Sequence, residues 1–156
     1  MNIPNVQEVD LGSVPYLVAM TKAGIRIDSA KLAAFSEVLT RKEQETEQAA
    51  WALVRRRFNP CSNVQVMQLL FEKEGLGLKP LKRTGTGLAS TEAEVLEQYK
   101  DVHPVIPAIL ECRRVRKLRT TYVDALPKMA GPDGRVHPQW QGTRVSSGGV
   151  ASRRRL

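Results

Sequence analysis

The chain has 156 residues, of which 42% are hydrophobic and 26% charged, a composition that excludes disordered and collagen-like classes and fits one modest domain or a piece of a larger protein. No run approaches the ~18 apolar residues of a membrane span. The start carries Glu8 and Asp10 where a secretory signal would be basic and then apolar, and two cysteines without a CxxC beside only two histidines favour neither a disulfide framework nor a zinc site.

The net charge of +8 is uneven, at −2 over residues 1–50, +3 over 51–100 and +7 over 101–156. A polyanionic partner is therefore expected for the C-terminal half, with simple solubility and a basic tail as the alternative. Free thiols suit a reducing cytoplasm.

In chain order, Val9, Leu11, Val14, Leu17, Val18 and Met20 recur at helical spacing and predict a helix closed by Gly24. Asp28 can cap a second helix running to about Arg57, roughly 45 Å long at ~1.5 Å per residue. Its apolar positions Leu32, Phe35 and Leu39 resume at Ala49 and Leu53, so Arg41 to Glu45 are expected to stand in solvent while the ends pack. Phe58-Asn59-Pro60 breaks the pattern, and Ser62 or Asn63 can cap a short helix through Glu74, closed by Gly75. Leu76 to Ser90 reads as a loop with a basic knot at Lys82-Arg83. Thr91-Glu92-Ala93-Glu94 has the form of a capping box for a helix to about Lys100.

The final helix is expected over about Val105 to Leu126. Ala108, Cys112, Val115, Leu118, Tyr122 and Leu126 cluster on one face, and Arg113, Arg114, Arg116 and Lys117 spread over the other. Arg119 falls on the apolar side and must snorkel or meet an acid. Gly131-Pro132-Asp133-Gly134 signals a turn, followed by a short strand at Arg135-Val136-His137.

Basic residues at helical spacing can follow a phosphate backbone, although a solvated amphipathic face has the same pattern. Asn59 and Ser62 can donate to phosphate or simply cap a helix. Gly85-Thr86-Gly87 lacks the ending of a phosphate loop. Asp101, Glu111, Asp124 and Asp133 are the only acids of the last 56 residues and form no visible two-cation centre, so no catalytic residue and no metal ligand is expected.

Several segments together resemble the family-A DNA polymerases. Phe58 to Gln65 and then Leu70-Phe71-Glu72-Lys73 are similar to the family's "FN-x-x-S-x-x-Q … LFEK". Ser90 to Leu96 resembles "ST-x-x-E-V-L", and Ile109-Leu110-Glu111-Cys112-Arg113 with Lys117 to Asp124 resembles "ILEYR … KLKSTYxD". Gly134-Arg135-Val136-His137 resembles "GRVH", and Ala23 to Asp28 resembles the "GI-x-VD" turn.

The resemblance implies a mainly α fold, a long antiparallel helical hairpin of the polymerase thumb type, with a short β segment from the start of a palm. Residues 1–27 would lead in, 28–130 would form the thumb, and 131–156 an incomplete palm start. It implies that Asn59, Ser62, Lys82, Arg83, Arg113 and Lys117 contact duplex DNA. In the place of the palm motif "TGRLSS", Gly149 stands where an arginine belongs, leaving Arg144 or Arg153 to supply that contact. The downstream motifs that hold nucleotide and metal are absent, so the chain alone is expected to be inactive and to need no cofactor, with Mg²⁺ entering only in a complete polymerase. The implied partners are primer–template DNA and, in a split enzyme, a separate palm and fingers polypeptide, with no membrane, in the cytoplasm of a bacterium or phage-infected cell. A stand-alone DNA-binding replication accessory and a helical adaptor for an acidic protein are the alternatives.

Overall fold

The computed structural model describes the backbone of residues 6–141 and 151–153 and the side chains of residues 12–140. It divides into two compact units, residues 33–124 and residues 1–32 with 125–156. Helix α1 covers Val6–Ala23, β1 Ile25–Arg26, α2 Ser29–Val54, α3 Asn63–Phe71, α4 Ala93–Glu97 and α5 Val105–Leu118. A π-turn, Arg119–Val123, then leads to α6, Leu126–Met129, and to strands β2 Arg135–Val136, β3 Gln139–Gln141 and β4 Ala151–Arg153. The mainly helical fold with a short β segment matches the sequence expectation.

In the larger unit, α2 and α5 run antiparallel. Ser36 meets Asp124, Glu43 meets Arg119 and Arg116, and Thr46 meets Cys112, so one helix climbs as the other descends. The core lies at the α5 N-terminal end of this pair, where Val66 and Leu70 of α3, Leu96 of α4, Val105, Ile106 and Ile109 of α5 and Ala50 of α2 are fully buried. Burying each of the larger of these side chains contributes about 1.5–3 kcal/mol.

The caps explain the breaks. Asp28 Oδ1 accepts from Lys31 N at 3.0 Å and starts α2. That helix ends at Val54, short of Arg57, because Arg55 takes a left-handed φ of +52°. Trp51 Nε1 then donates to Phe58 O at 2.5 Å and fixes the exit. Ser62 Oγ accepts from Gln65 N and caps α3 as expected. This helix ends at Phe71, before Glu74, since Leu76 N and Leu78 N return to the carbonyls of Leu69 and Leu70. A Cβ on Gly75 would collide with the Leu69 carbonyl, so only glycine fits that return.

Three local expectations are corrected. Thr91 does not form a capping box: Glu92 is the N-cap of α4 and makes no side-chain cap bond, while Thr91 Oγ1 donates to Asn63 Oδ1 at 3.1 Å. Glu43 in the polar middle of α2 is not in open solvent but 14% exposed, between Arg116 and Arg119. The long final helix does not stay α-helical. Asp124 N bonds Arg119 O across five residues, which inserts an extra residue and rotates the apolar stripe, so Val123 is buried and Tyr122, expected inside, is exposed.

In the smaller unit, β1 and β2 pair antiparallel, Ile25 opposite Val136 and Arg26 opposite Arg135, and the expected turn, in which Gly134 N donates to Gly131 O, leads into β2. β3 and β4 form a second antiparallel pair. His137 clasps this unit, its Nδ1 lying 2.9 Å from Thr21 O and its Nε2 3.2 Å from Asp133 Oδ2, two acceptors that the ring serves together when it is protonated. Gly24, at φ +62°, leaves the room that the His137 ring occupies.

Candidate nucleic-acid interface

Two features bring the basic residues of α5 together with the start of α3. The first is Arg113, whose Nε donates to Pro60 O at 2.8 Å, Nη1 to Thr91 O at 2.5 Å and Nη2 to Asn63 Oδ1 at 3.2 Å. One guanidinium thus ties the segment before α3 and the segment before α4 to α5. Burial holds its pKa below the usual arginine range. Three of its five N–H groups face protein, and two remain.

The second feature is the α-helical spacing of Arg113, Arg116, Lys117 and Thr120, which puts them on neighbouring turns. With Cys61, Asn63 and Thr121 they line an open cleft of about 320 Å³ that contains no carboxylate. Arg116 pairs with Glu43 at 3.4 Å and interacts with the Cys61 thiol, Cys61 first and then Glu43 raising its pKa. Lys117 is exposed and has no acidic partner among the described residues. Arg113 and Lys117 also border a second cleft, of about 510 Å³, where Glu97 and Glu111 add negative charge. The carboxylate-free side is the better seat for a polyanion.

The other expected contacts are placed differently. Asn59 is half-buried; its Oδ1 accepts from Cys61 N at 2.9 Å and its own N–H donates to the Gln65 side chain at 2.7 Å. Asn59 and Ser62 therefore shape and cap the start of α3, the use that capping chemistry favours. Lys82 lies in a separate exposed loop, with its ammonium 2.7 Å from Glu92, whose carboxylate raises the lysine pKa as its own falls. Arg83 Nη1 donates to Gly87 O at 2.8 Å across the turn of that loop. Arg144 and Gly149 lie outside the described residues.

Asn63, Thr120 and Thr121 were not singled out as contacts from the sequence, and Arg116 entered there only as part of the basic face. Arg116 belongs to the basic run, and Thr120 and Thr121 fall three and four residues beyond Lys117, so helical spacing alone could have gathered them. Asn63 could not have been found that way, because Arg113 brings it in from another segment.

Among the described residues no group of three His, Cys, Asp or Glu side chains converges to hold a metal ion. Asp124 accepts from Ser36 and Arg119, and Asp133 accepts from Arg135 N and His137. These carboxylates are committed to the fold and do not fit a two-metal centre. No described helix is long and apolar enough to cross a membrane.

The described residues thus form a cation-lined cleft on a helical hairpin. Residues 29–154 match the family model described as DNA polymerase family A, and the chain belongs to that family. It is 37% identical over 148 residues to a DNA polymerase I of Synechocystis sp., covering 94% of this chain and 15% of that protein. It is 34% identical to a thermostable DNA polymerase I of Thermus thermophilus, covering 94% and 18%, and 33% identical to a DNA polymerase I of Bacillus subtilis, covering 94% and 16%. The fold is shared, at a TM-score of 0.73 and 28% identity, with the POL domain of Pol1 from M. smegmatis in complex with DNA primer-template and dNTP, covering 87% of this chain and 24% of that one. The chain thus spans about a sixth of the length of these curated relatives.

Proposed function

We propose that this chain is the thumb of a family-A DNA polymerase with the beginning of its palm, and that it grips primer–template duplex during DNA replication. The observation that carries this reading is the carboxylate-free cleft lined by Arg113, Arg116, Lys117, Asn63, Thr120 and Thr121. Charged donors with hydroxyl and amide neighbours suit phosphate oxygens, which fix register without reading sequence. Lys117 supplies a mobile charge. Arg113 offers its two remaining N–H groups while holding Pro60, Asn63 and Thr91 in place. Asn59 and Ser62 present the start of α3, and Lys82, Arg83 and Arg144 are further DNA contacts. Residues 1–27 lead into the thumb, 28–130 form it, and 131–156 open the palm.

In this reading the chain transfers no nucleotide by itself. The carboxylates and the Mg²⁺ of the reaction belong to palm and fingers, on the same or a separate polypeptide, in the cytoplasm. Exposed Val14, Tyr16, Val18 and Met20 on α1, with the Trp140 indole N–H buried and unpaired among the described residues, favour a further protein surface against the smaller unit.

The test is binding to a fluorescent primer–template duplex in competition with a single strand of equal length and with an acidic peptide. Preferential, saturable binding of duplex is expected. Equal binding of the acidic peptide would support the helical adaptor instead. In the same buffer, with dNTPs and Mg²⁺, no primer extension is expected.

A further inference from the structure

Cys112 occupies the position at which the polymerase motif quoted above has tyrosine, and the fold sets a second cysteine against it. The Cys112 side chain is 2% exposed on the inner face of α5, and its thiol and that of Cys61 are near enough to act on each other. Cys61 is half-buried and opens into the 320 Å³ cleft. The bond from Arg113 Nε to Pro60 O, at 2.8 Å, clamps the neighbours of both cysteines together. Arg116, which lines the same cleft as Cys61, interacts with the Cys61 thiol, and Thr46 of α2 interacts with that of Cys112.

We propose that Cys61 and Cys112 form a modification site for peroxides, an oxidisable dithiol in which Cys61 receives the oxidant and Cys112 resolves it into an intramolecular disulfide. The roles follow from access. A peroxide can enter the cleft and reach Cys61, whereas Cys112 has no opening of its own and burial pushes its thiol up to about 11, which keeps it protonated and unreactive toward solvent oxidants. In the first step the Cys61 sulfur attacks one peroxide oxygen, the O–O bond breaks, and Cys61 becomes a sulfenic acid as water leaves. In the second, the Cys112 sulfur attacks the Cys61 sulfur, the S–O bond breaks, and the departing hydroxide takes the Cys112 proton and leaves as water. Two thiols and one peroxide thus give one disulfide and two waters. Nucleic acid takes no part in this chemistry, so it stands apart from the polymerase reading.

The test exposes the purified chain to hydrogen peroxide and counts thiols after denaturation. We expect the count to fall from two to none in a monomer lighter by two hydrogens, with one cross-linked peptide carrying both cysteines, all reversed by dithiothreitol. In Cys112→Ser, a dimedone adduct should collect on Cys61. In Cys61→Ser, the Cys112 thiol should survive, oxidising at least ~10-fold more slowly than the pair. Survival of both wild-type thiols, a disulfide found only between chains, or Cys112 oxidised as fast without Cys61 would each overturn the proposal.

Discussion

Arg113 shows how a single side chain can belong to fold and site at once. Replacing it with lysine keeps the charge but loses the fork that serves Pro60 O, Thr91 O and Asn63 Oδ1. A loss of about 2 kcal/mol in urea unfolding is expected, and any fall in DNA affinity would be confounded with it. Lys117 carries no such burden, which makes it the cleaner probe of the interface. Glu43 serves the fold, holding Arg116 and Arg119 against α2. Its side chain is 14% exposed and Arg119 is 23% exposed, so screening is incomplete and Glu43→Gln should cost about 1–2 kcal/mol, more than a surface pair and less than a dry one. In the smaller unit, His137 bonds to two acceptors, Thr21 O first and Asp133 second, and both raise its pKa. A raised value means that its stabilisation is fully present below the unfolded pKa of about 6.5 and is lost as pH rises through the folded one. Asp133, held low first by Arg135 N and then by His137, contributes above about 3.9 and fails as pH falls through its own lowered value. The clasp is therefore strongest between these limits, and an NMR titration of the His137 ring should give a pKa above about 6.5 that falls in Asp133→Asn.

The elements carry the lesson about what a sequence reveals. Helices α1, α2 and α3 were legible because their caps are local: Gly24, Asp28 and Ser62 act within a few residues of themselves. The capping box at Thr91 failed because a distant partner, Asn63, claimed the hydroxyl. Solvent exposure of the α2 middle holds at Arg41, Lys42, Gln44 and Glu45 and fails at Glu43 for the same reason, since Arg116 and Arg119 lie beyond its own helix. Arg119 itself was readable, because a cation on an apolar face demands an acid. The π-turn left no periodic signal of its own. It shows only as the phase change that buries Val123 and exposes Tyr122. Deleting exposed Thr120 should let this segment close as α-helix while Val123 keeps its place, at a cost of about 1 kcal/mol or less in thermal unfolding. Deleting Arg114, within α5, should unfold the larger unit, since it rotates the following side chains, Arg116, Arg119 and Asp124 among them, by ~100° away from their α2 partners Glu43 and Ser36.

At the scale of the molecule, the ordered motifs made the family legible, and the rising positive charge along the chain with the basic run on α5 is what the proposal of a polyanion partner starts from. The cleft was not, because its lining is drawn together by Arg113 from segments about 50 residues apart. The central claim is that α5 and the start of α3 hold DNA phosphates. Its most direct test is the salt dependence of primer–template binding by the wild-type chain and by Lys117→Ala. With about four phosphate contacts, log K should fall against log salt with a slope near −3.6, and Lys117→Ala should flatten it by about 0.9 with thermal stability unchanged. A wild-type slope near zero, or a Lys117→Ala slope identical to the wild type, would contradict it.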